Sequence, residues 1–521
     1  MSDTSPAIIS LPDDAFGALA AGRPSAQTIR TLRRAKLSKH LLLLREIART
    51  APRAAYAELA AAERADPAGV RRRLSDPLFG AWAAGCLAAL RRGEPADVDH
   101  LAVLAAAAAS GSPTTRNGAS APEDGLAIDV RLEDADPLRA RLGLTPCAPL
   151  SAREIAHWRE LFAEAWRLLV SRHRGDAAIL AAVLEVIVPV EPDPAARGIS
   201  ATSAHAFGAV AMSVPADATA LAVGLLHETQ HSLLNAVQHL FPLHEEPDIL
   251  GYSPWRDDPR PASGILHGTY AYLAVTRFWR AEARAGSFGG DPGHRPDAPR
   301  PVDSGLAAFE FARWRAAVTS AARGLLENGT LTRAGTRFVT ALLDEVRPWL
   351  GEAVAGETVR LAEGANTDHY LRWRLRNLAV DAAAVQDLAD RWRRDATPPS
   401  ATVRSRLVPA PRRGLESSTR LDLAHAQTRH HSRGDAAGVR PDDDSPGGRA
   451  SAGDLAYLRG DYGTAVDAYQ KMILNGAGDD AAWAGIALVG GWDEVEILAA
   501  VHRTLETPDV DIRALAQWIS S

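Results

Sequence analysis

The sequence predicts a mainly α-helical protein with a small β-sheet, an α+β arrangement, and three observations support that prediction. Long stretches keep their apolar residues at helical spacing; in 153–170, Ile155, Trp158, Leu161, Phe162, Ala165 and Leu169 fall on one face. Two short segments, LEVIVPV (184–190) and GISATSAHAFGAVAMSVP (198–215), are rich in β-branched and small residues and read as strands. Those strands run directly into a strongly helical segment, 218–240, with Asp217 placed to cap its first turn.

The other elements follow in order. Residues 13–109 read as helices, with Ile29, Leu32, Leu41 and Leu44 as apolar positions in one charged run. SGSPTTRNGASAPEDG (110–125) reads as a mobile loop. Beyond the 218–240 helix, a Pro- and charge-rich loop leads to a helix over 265–285. A flexible loop is expected over 286–305, then helices over 306–326, 332–350 and 367–394. Pro, Ser, Arg, Asp and Gly dominate 395–452, which reads as a flexible linker. The last stretch resembles a tetratricopeptide-type helical hairpin at Gly460, Tyr462, Ala465 and Tyr469, and one such hairpin must dock on something to bury its face. The expected organisation is an N-terminal helical region (1–125), a catalytic domain (126–395), a linker (396–452) and a helical C-terminal domain (453–521).

Composition narrows the functional classes. The chain has 521 residues, 46% hydrophobic and 23% charged, as in a soluble globular protein of two or three domains. The net charge of −6 disfavours bulk nucleic-acid binding. The two cysteines, Cys86 and Cys147, make neither a disulfide framework nor a Cys-based zinc site, which suits a reducing cytosol. No apolar run reaches membrane-spanning length, and MSDTSPAIISLPDDAF lacks a basic-then-apolar signal, so a cytoplasmic location is expected.

The 218–240 helix contains His227-Glu228-Thr229-Gln230-His231, an HExxH motif. Residues four apart share a helix face, so the two imidazoles can grip one metal ion, with Glu228 beside whatever that ion activates. Strands leading into such a helix are the order found in zincin folds, where a sheet edge beside the metal helix receives an extended peptide. A third ligand is needed. The HExxHxxGxxH extension is absent, since SLLNAV follows His231. His267, in GILHGTYAY, is the favoured third ligand, because a helix holds a ligand rigidly and Gly264 and Gly268 allow neighbours to approach closely. Glu245, Glu246, Asp257 and Asp258 are carboxylate alternatives on the connecting loop, and His239 and His244 read as outer groups. Three histidines suit Zn²⁺, with Glu228 as the base of a peptidase, and equally Fe²⁺, with positions open for a keto acid and O₂ and with Glu228 outside the ligand set, orienting a ligand or the substrate.

SPWRDDPRPASGILHGTYAY (253–272), LLHETQHSLLNAV and DHYLRWRLRNL (368–378) together are more distinctive than HExxH alone. With them the chain resembles the HEXXH-motif peptide β-hydroxylases of bacterial peptide-modification (RiPP) clusters, from about residue 11 to 395. That resemblance implies an iron(II)- and 2-oxoglutarate-dependent dioxygenase acting on a ribosomally made precursor peptide, with iron at His227, His231 and His267. A 2-oxoglutarate enzyme also needs a cation for the distal carboxylate, and an arginine fork pairs with it bidentately. Arg256 and Arg260 are the first candidates; Arg372 and Arg374 are the second pair, with Asp368 and His369 as outer groups. Two alternatives stand beside this reading: a zinc metallopeptidase acting on a cytoplasmic peptide, and a non-catalytic scaffold whose C-terminal hairpin recruits other maturation enzymes.

Overall fold

The computed structural model describes residues 9–110, 118–194, 198–245, 249–287, 302–398, 403–408, 418–433, 450–477, 479–505 and 510–521. Helices dominate and the strands are few and short, so the chain is mainly α with a small β-sheet. The main sheet has five strands: β1 (Gly118–Glu123), β2 (Leu126–Leu132), β3 (Val186–Pro189), β4 (Ser200–Ala201) and β5 (Ala209–Met212). Their spatial order is β1-β2-β3-β5-β4. β2, β3 and β5 run parallel, while β1 and β4 are antiparallel to their neighbours.

The sheet is covered on both faces, and this explains why β3 reads as an unbroken apolar run instead of an alternating one. Val186, Val188, Ala209 and Ala211 face Leu78, Trp82 and Leu87 of the N-terminal helices. Ile187, Val210 and Met212 face Trp158 and Leu161 of the helix Ala152–Arg172 and Leu221 and Leu225 of the motif helix. Adjacent strand residues thus serve opposite layers. The motif helix, Ala218–Gln238, is capped by Asp217, whose Oδ1 accepts from the Ala220 N–H at 2.8 Å. It packs between Ala152–Arg172 and the helix Ala262–Ser287.

The expected organisation is corrected in three places. Residues 118–123 are not loop: they form β1, whose ladder with β2 satisfies their backbone groups. No break in the core falls at residue 125, because the N-terminal helices cover the sheet, and Phe16, Leu19, Ile29 and Leu32 join the core around the motif helix. Nor is 396–452 a plain linker where it is described. Ser405–Leu407 pairs antiparallel with Leu378–Val380, and the helix Thr419–Arg433 buries Leu421, Leu423 and Ala424. The C-terminal helical hairpin, Ala452–Leu458 and Tyr462–Met472, shares one core with Leu371, Val385 and Leu388. Ala465 and Tyr469 are buried there, so the hairpin docks on the rest of the chain.

Candidate metal centre

His227, His231 and Gln238 are spaced four and seven apart, so they lie along one face of the motif helix, while Glu228 points about 100° around it. The structure uses both faces. His231 Nε2 lies 3.0 Å from His227 Nε2. Glu228 is buried, and its two oxygens accept from Ser200 Oγ at 2.7 Å and Thr202 Oγ1 at 2.5 Å. The edge strand β4 and the residue after it therefore clamp the carboxylate beside the imidazoles. His227, Glu228 and His231 each place one donor atom within 4.8 Å of the others.

His267 stands next to this group but does not join it. Its Nε2–H donates to Gln238 Oε1 at 2.8 Å, which leaves Nδ1 as an acceptor, and His231 Nδ1 lies 3.2 Å from that atom. His231 thus presents Nδ1 to His267 and Nε2 to His227, on opposite edges of one ring. An ion bound through His231 Nε2 lies away from His267, and the expected third-ligand role is corrected on that ground. His267 orients instead: accepting from His231 Nδ1–H fixes the tautomer that leaves His231 Nε2 bare for a metal.

Electrostatics favour neutral rings. Burial lowers His227, and burial with His227 and His267 nearby holds His231 well below its ordinary value. His267 is pushed down to about 4 by burial and by His244 close to it. Unprotonated imidazole is the form that binds metal. Aromatic rings wall the site: Tyr272 meets His227 edge-on at 5.3 Å, stacks on Trp255 at 5.0 Å and leans on Trp314 at 4.2 Å. The Trp255 indole lies directly over Gly268, where a Cβ would fall 2.0 Å from Nε1, so the glycine beside His267 is required for that approach.

The remaining candidates separate. Arg256 and Arg260 share one carboxylate, Asp258, at 2.9 and 3.2 Å, so two cations meet one anion just before the His267 helix. Arg374 is corrected: Glu496 holds its guanidinium at 2.6 and 2.8 Å and Tyr370 takes a further N–H, which makes it a tie to the C-terminal helices. Arg372 faces Asp368 at 4.0 Å. Asp368 is bound by Ser418 and Arg420, and His369 by Tyr252 at 2.8 Å. Asp257 pairs with Arg376, Glu245 is exposed, and Glu246 lies outside the described residues. Ser200, Thr202, Gln238 and Tyr272 were missed by sequence reasoning. Only Gln238 had a signal there, its place on the His227/His231 face.

No protein-family model matches the chain, and no curated protein matches it at a significant level. No helix among the described residues is long and apolar enough to cross a membrane.

Proposed function

We propose that this chain is an iron(II)- and 2-oxoglutarate-dependent oxygenase that hydroxylates a side-chain β-carbon of a ribosomally made peptide. The observation that supports it most is the donor set: two facing imidazoles and one carboxylate within 4.8 Å, the combination that non-haem iron oxygenases use. His227 and His231 would hold the ion through Nε2, and Glu228 would complete the set, oriented by Ser200 and Thr202. When bound, iron with 2-oxoglutarate and O₂ supplies the oxidising power, and succinate and CO₂ leave as co-products.

The chain's own residues do the rest. Arg256 and Arg260, with one carboxylate between them, keep a net positive charge to receive the distal carboxylate of 2-oxoglutarate. The two-residue β4 lies at the edge of the sheet and supplies the Ser200 clamp, so a peptide added to that edge would run past the metal. Tyr272, Trp255 and Trp314 give the His227 side an aromatic wall. The alternative, zinc with Glu228 as the base of a peptidase, uses the same three residues, and the dependence on metal and 2-oxoglutarate separates the two.

The deciding experiment is an anaerobic preparation loaded with Fe²⁺ and given 2-oxoglutarate, O₂ and a candidate precursor peptide. Succinate together with a peptide heavier by one oxygen atom is expected. Peptide cleavage with Zn²⁺ and no need for 2-oxoglutarate would replace this reading with a peptidase. No turnover with either metal would leave a scaffold.

A further inference from the structure

This chain uses arginine almost wherever it needs a cation: of its 58 Lys and Arg residues, three are lysine. Two of those three, Lys36 and Lys39, sit one turn apart on the helix Ala26–Thr50 and reach the same place. Lys36 is 5% exposed; its Nζ donates to the Ala204 carbonyl at 3.1 Å and lies 2.8 Å from His239 Nδ1. Lys39 Nζ lies 2.8 Å from His205 Nδ1 and also contacts His239 Nε2. His40, 3% exposed, donates through Nδ1 to the Leu74 carbonyl, and its Nε2 has no partner.

Five basic groups from three elements therefore meet: the helix Ala26–Thr50, the loop between β4 and β5, and the end of the motif helix. Among the described residues, no carboxylate lies within ion-pair distance of any of them. Asp76, the acid that acts on His40, is itself bound to Arg131 at 2.7 Å. Burying an ammonium group without an anion is costly, and native structures seldom tolerate it without a use. The cost shows in the titration. Burial and then Lys39 push Lys36 down to about 6, and burial pushes Lys39 to about 8. His205 falls to about 4 and His239 to about 3, each through partial desolvation by its neighbours and then the two lysines. The floor of the cluster, Lys36 and His40, is buried, while His205 and His239 are exposed, so a small solute can reach it.

We propose that Lys36, Lys39, His205 and His239 form a binding site for a small oxyanion, a carboxylate or phosphate group. Such a ligand would accept N–H donors from Lys36, Lys39 and His205 beside His239, whose Nδ1–H goes to the Asn235 carbonyl at 2.6 Å, and would replace mutual repulsion by charge-assisted hydrogen bonds. Compact, rotatable ammonium groups suit a rounded oxyanion approached from several sides, which explains lysine in a chain otherwise built with arginine. The site is separate from the metal centre: His239 lies eight residues beyond His231, about 12 Å along the helix axis. It is also connected to it, because His205 and Thr202, which clamps Glu228, belong to one loop. The proposal does not rest on the oxygenase reading.

The test uses the full chain in thermal unfolding with inorganic phosphate, succinate or chloride at equal ionic strength. Saturating phosphate or succinate is expected to raise Tm by about 2–4 °C over chloride, and whichever of the two acts identifies the source of the oxyanion. The double variant Lys39→Gln/His205→Asn alters side chains reached by solvent and should fold; it is expected to weaken apparent anion affinity by at least about tenfold. Lys36→Met should abolish the response and raise Tm in chloride, since it removes an uncompensated buried amine. Equal Tm in all three salts for the wild-type chain, or an undiminished anion response in the double variant, would overturn the proposal.

Discussion

At the candidate metal centre, individual side chains have distinct positions that substitution can separate. His227→Ala and His231→Ala each remove a donor and are expected to abolish Fe²⁺ or Co²⁺ binding by calorimetry. His267→Phe removes the acceptor that fixes the His231 tautomer, so metal should still bind, weakened about 10–100-fold. Complete loss in His267→Phe would return it to the role of ligand. Glu228→Gln keeps the shape and the hydroxyl clamp but loses the charge. With Glu228 as an iron donor, affinity for metal should fall; with Glu228 as a base, only turnover should fall. Lys36 gives a pH prediction. Its amine titrates near 6 in the folded chain and 10.5 otherwise, so between those values the unfolded state binds more protons and stability rises with pH. Below about pH 6 the full penalty remains. In urea unfolding, the advantage of Lys36→Met over the wild type should therefore shrink from pH 6 to pH 9.

At the level of elements, the site depends on a close crossing. The Trp255 loop lies flat against the His267 helix because Gly268 has no side chain, and Trp255 in turn stacks on Tyr272, which touches His227. Gly268→Ala puts a methyl group 2.0 Å from the indole nitrogen, so the indole must move. We expect a loss of about 1–3 kcal/mol in stability, a shifted tryptophan emission and weaker metal binding. Wild-type emission and affinity would show that the aromatic wall is not coupled to the metal ligands. The elements themselves were largely legible in the sequence. β3, β5 and the capped motif helix fall where apolar runs, β-branched residues and Asp217 put them. β1 was not legible, because GASAPE contains Pro, Gly and Ala and becomes a strand only through the β2 edge.

For the whole molecule, the C-terminal helices are tied to the rest of the chain by buried charge. Arg420, 5% exposed, binds Asp368 on one side and Asp454 and Tyr469 on the other, and Arg374 binds Glu496. Removing Arg420 takes the cation from Asp454 and leaves Asp368 facing Arg372 at 4.0 Å. Arg420→Met is therefore expected to cost about 3–5 kcal/mol in chemical unfolding and to loosen the C-terminal helices in hydrogen exchange, while metal binding by His227 and His231 persists. A variant with wild-type stability would make that network ornamental. The helix carrying Arg420 lies in a stretch whose composition reads as linker, because Ser, Arg and Asp signal solvent when counted and signal an ion-pair core only when their partners are known.

The sequence by itself determined that one helical face would carry two histidines around a glutamate, since a period of 3.6 residues makes that geometry local. It also determined the mainly helical class and the strands leading into that helix. Only the tertiary structure decided what each polar group faces. It turned His267 toward the far edge of His231, committed Arg374 to Glu496, and brought two scarce lysines from residues 36 and 39 against histidines at 205 and 239. Those pairings join residues far apart in the chain, and spacing along a sequence has no information about which distant side chains packing will place within hydrogen-bond reach.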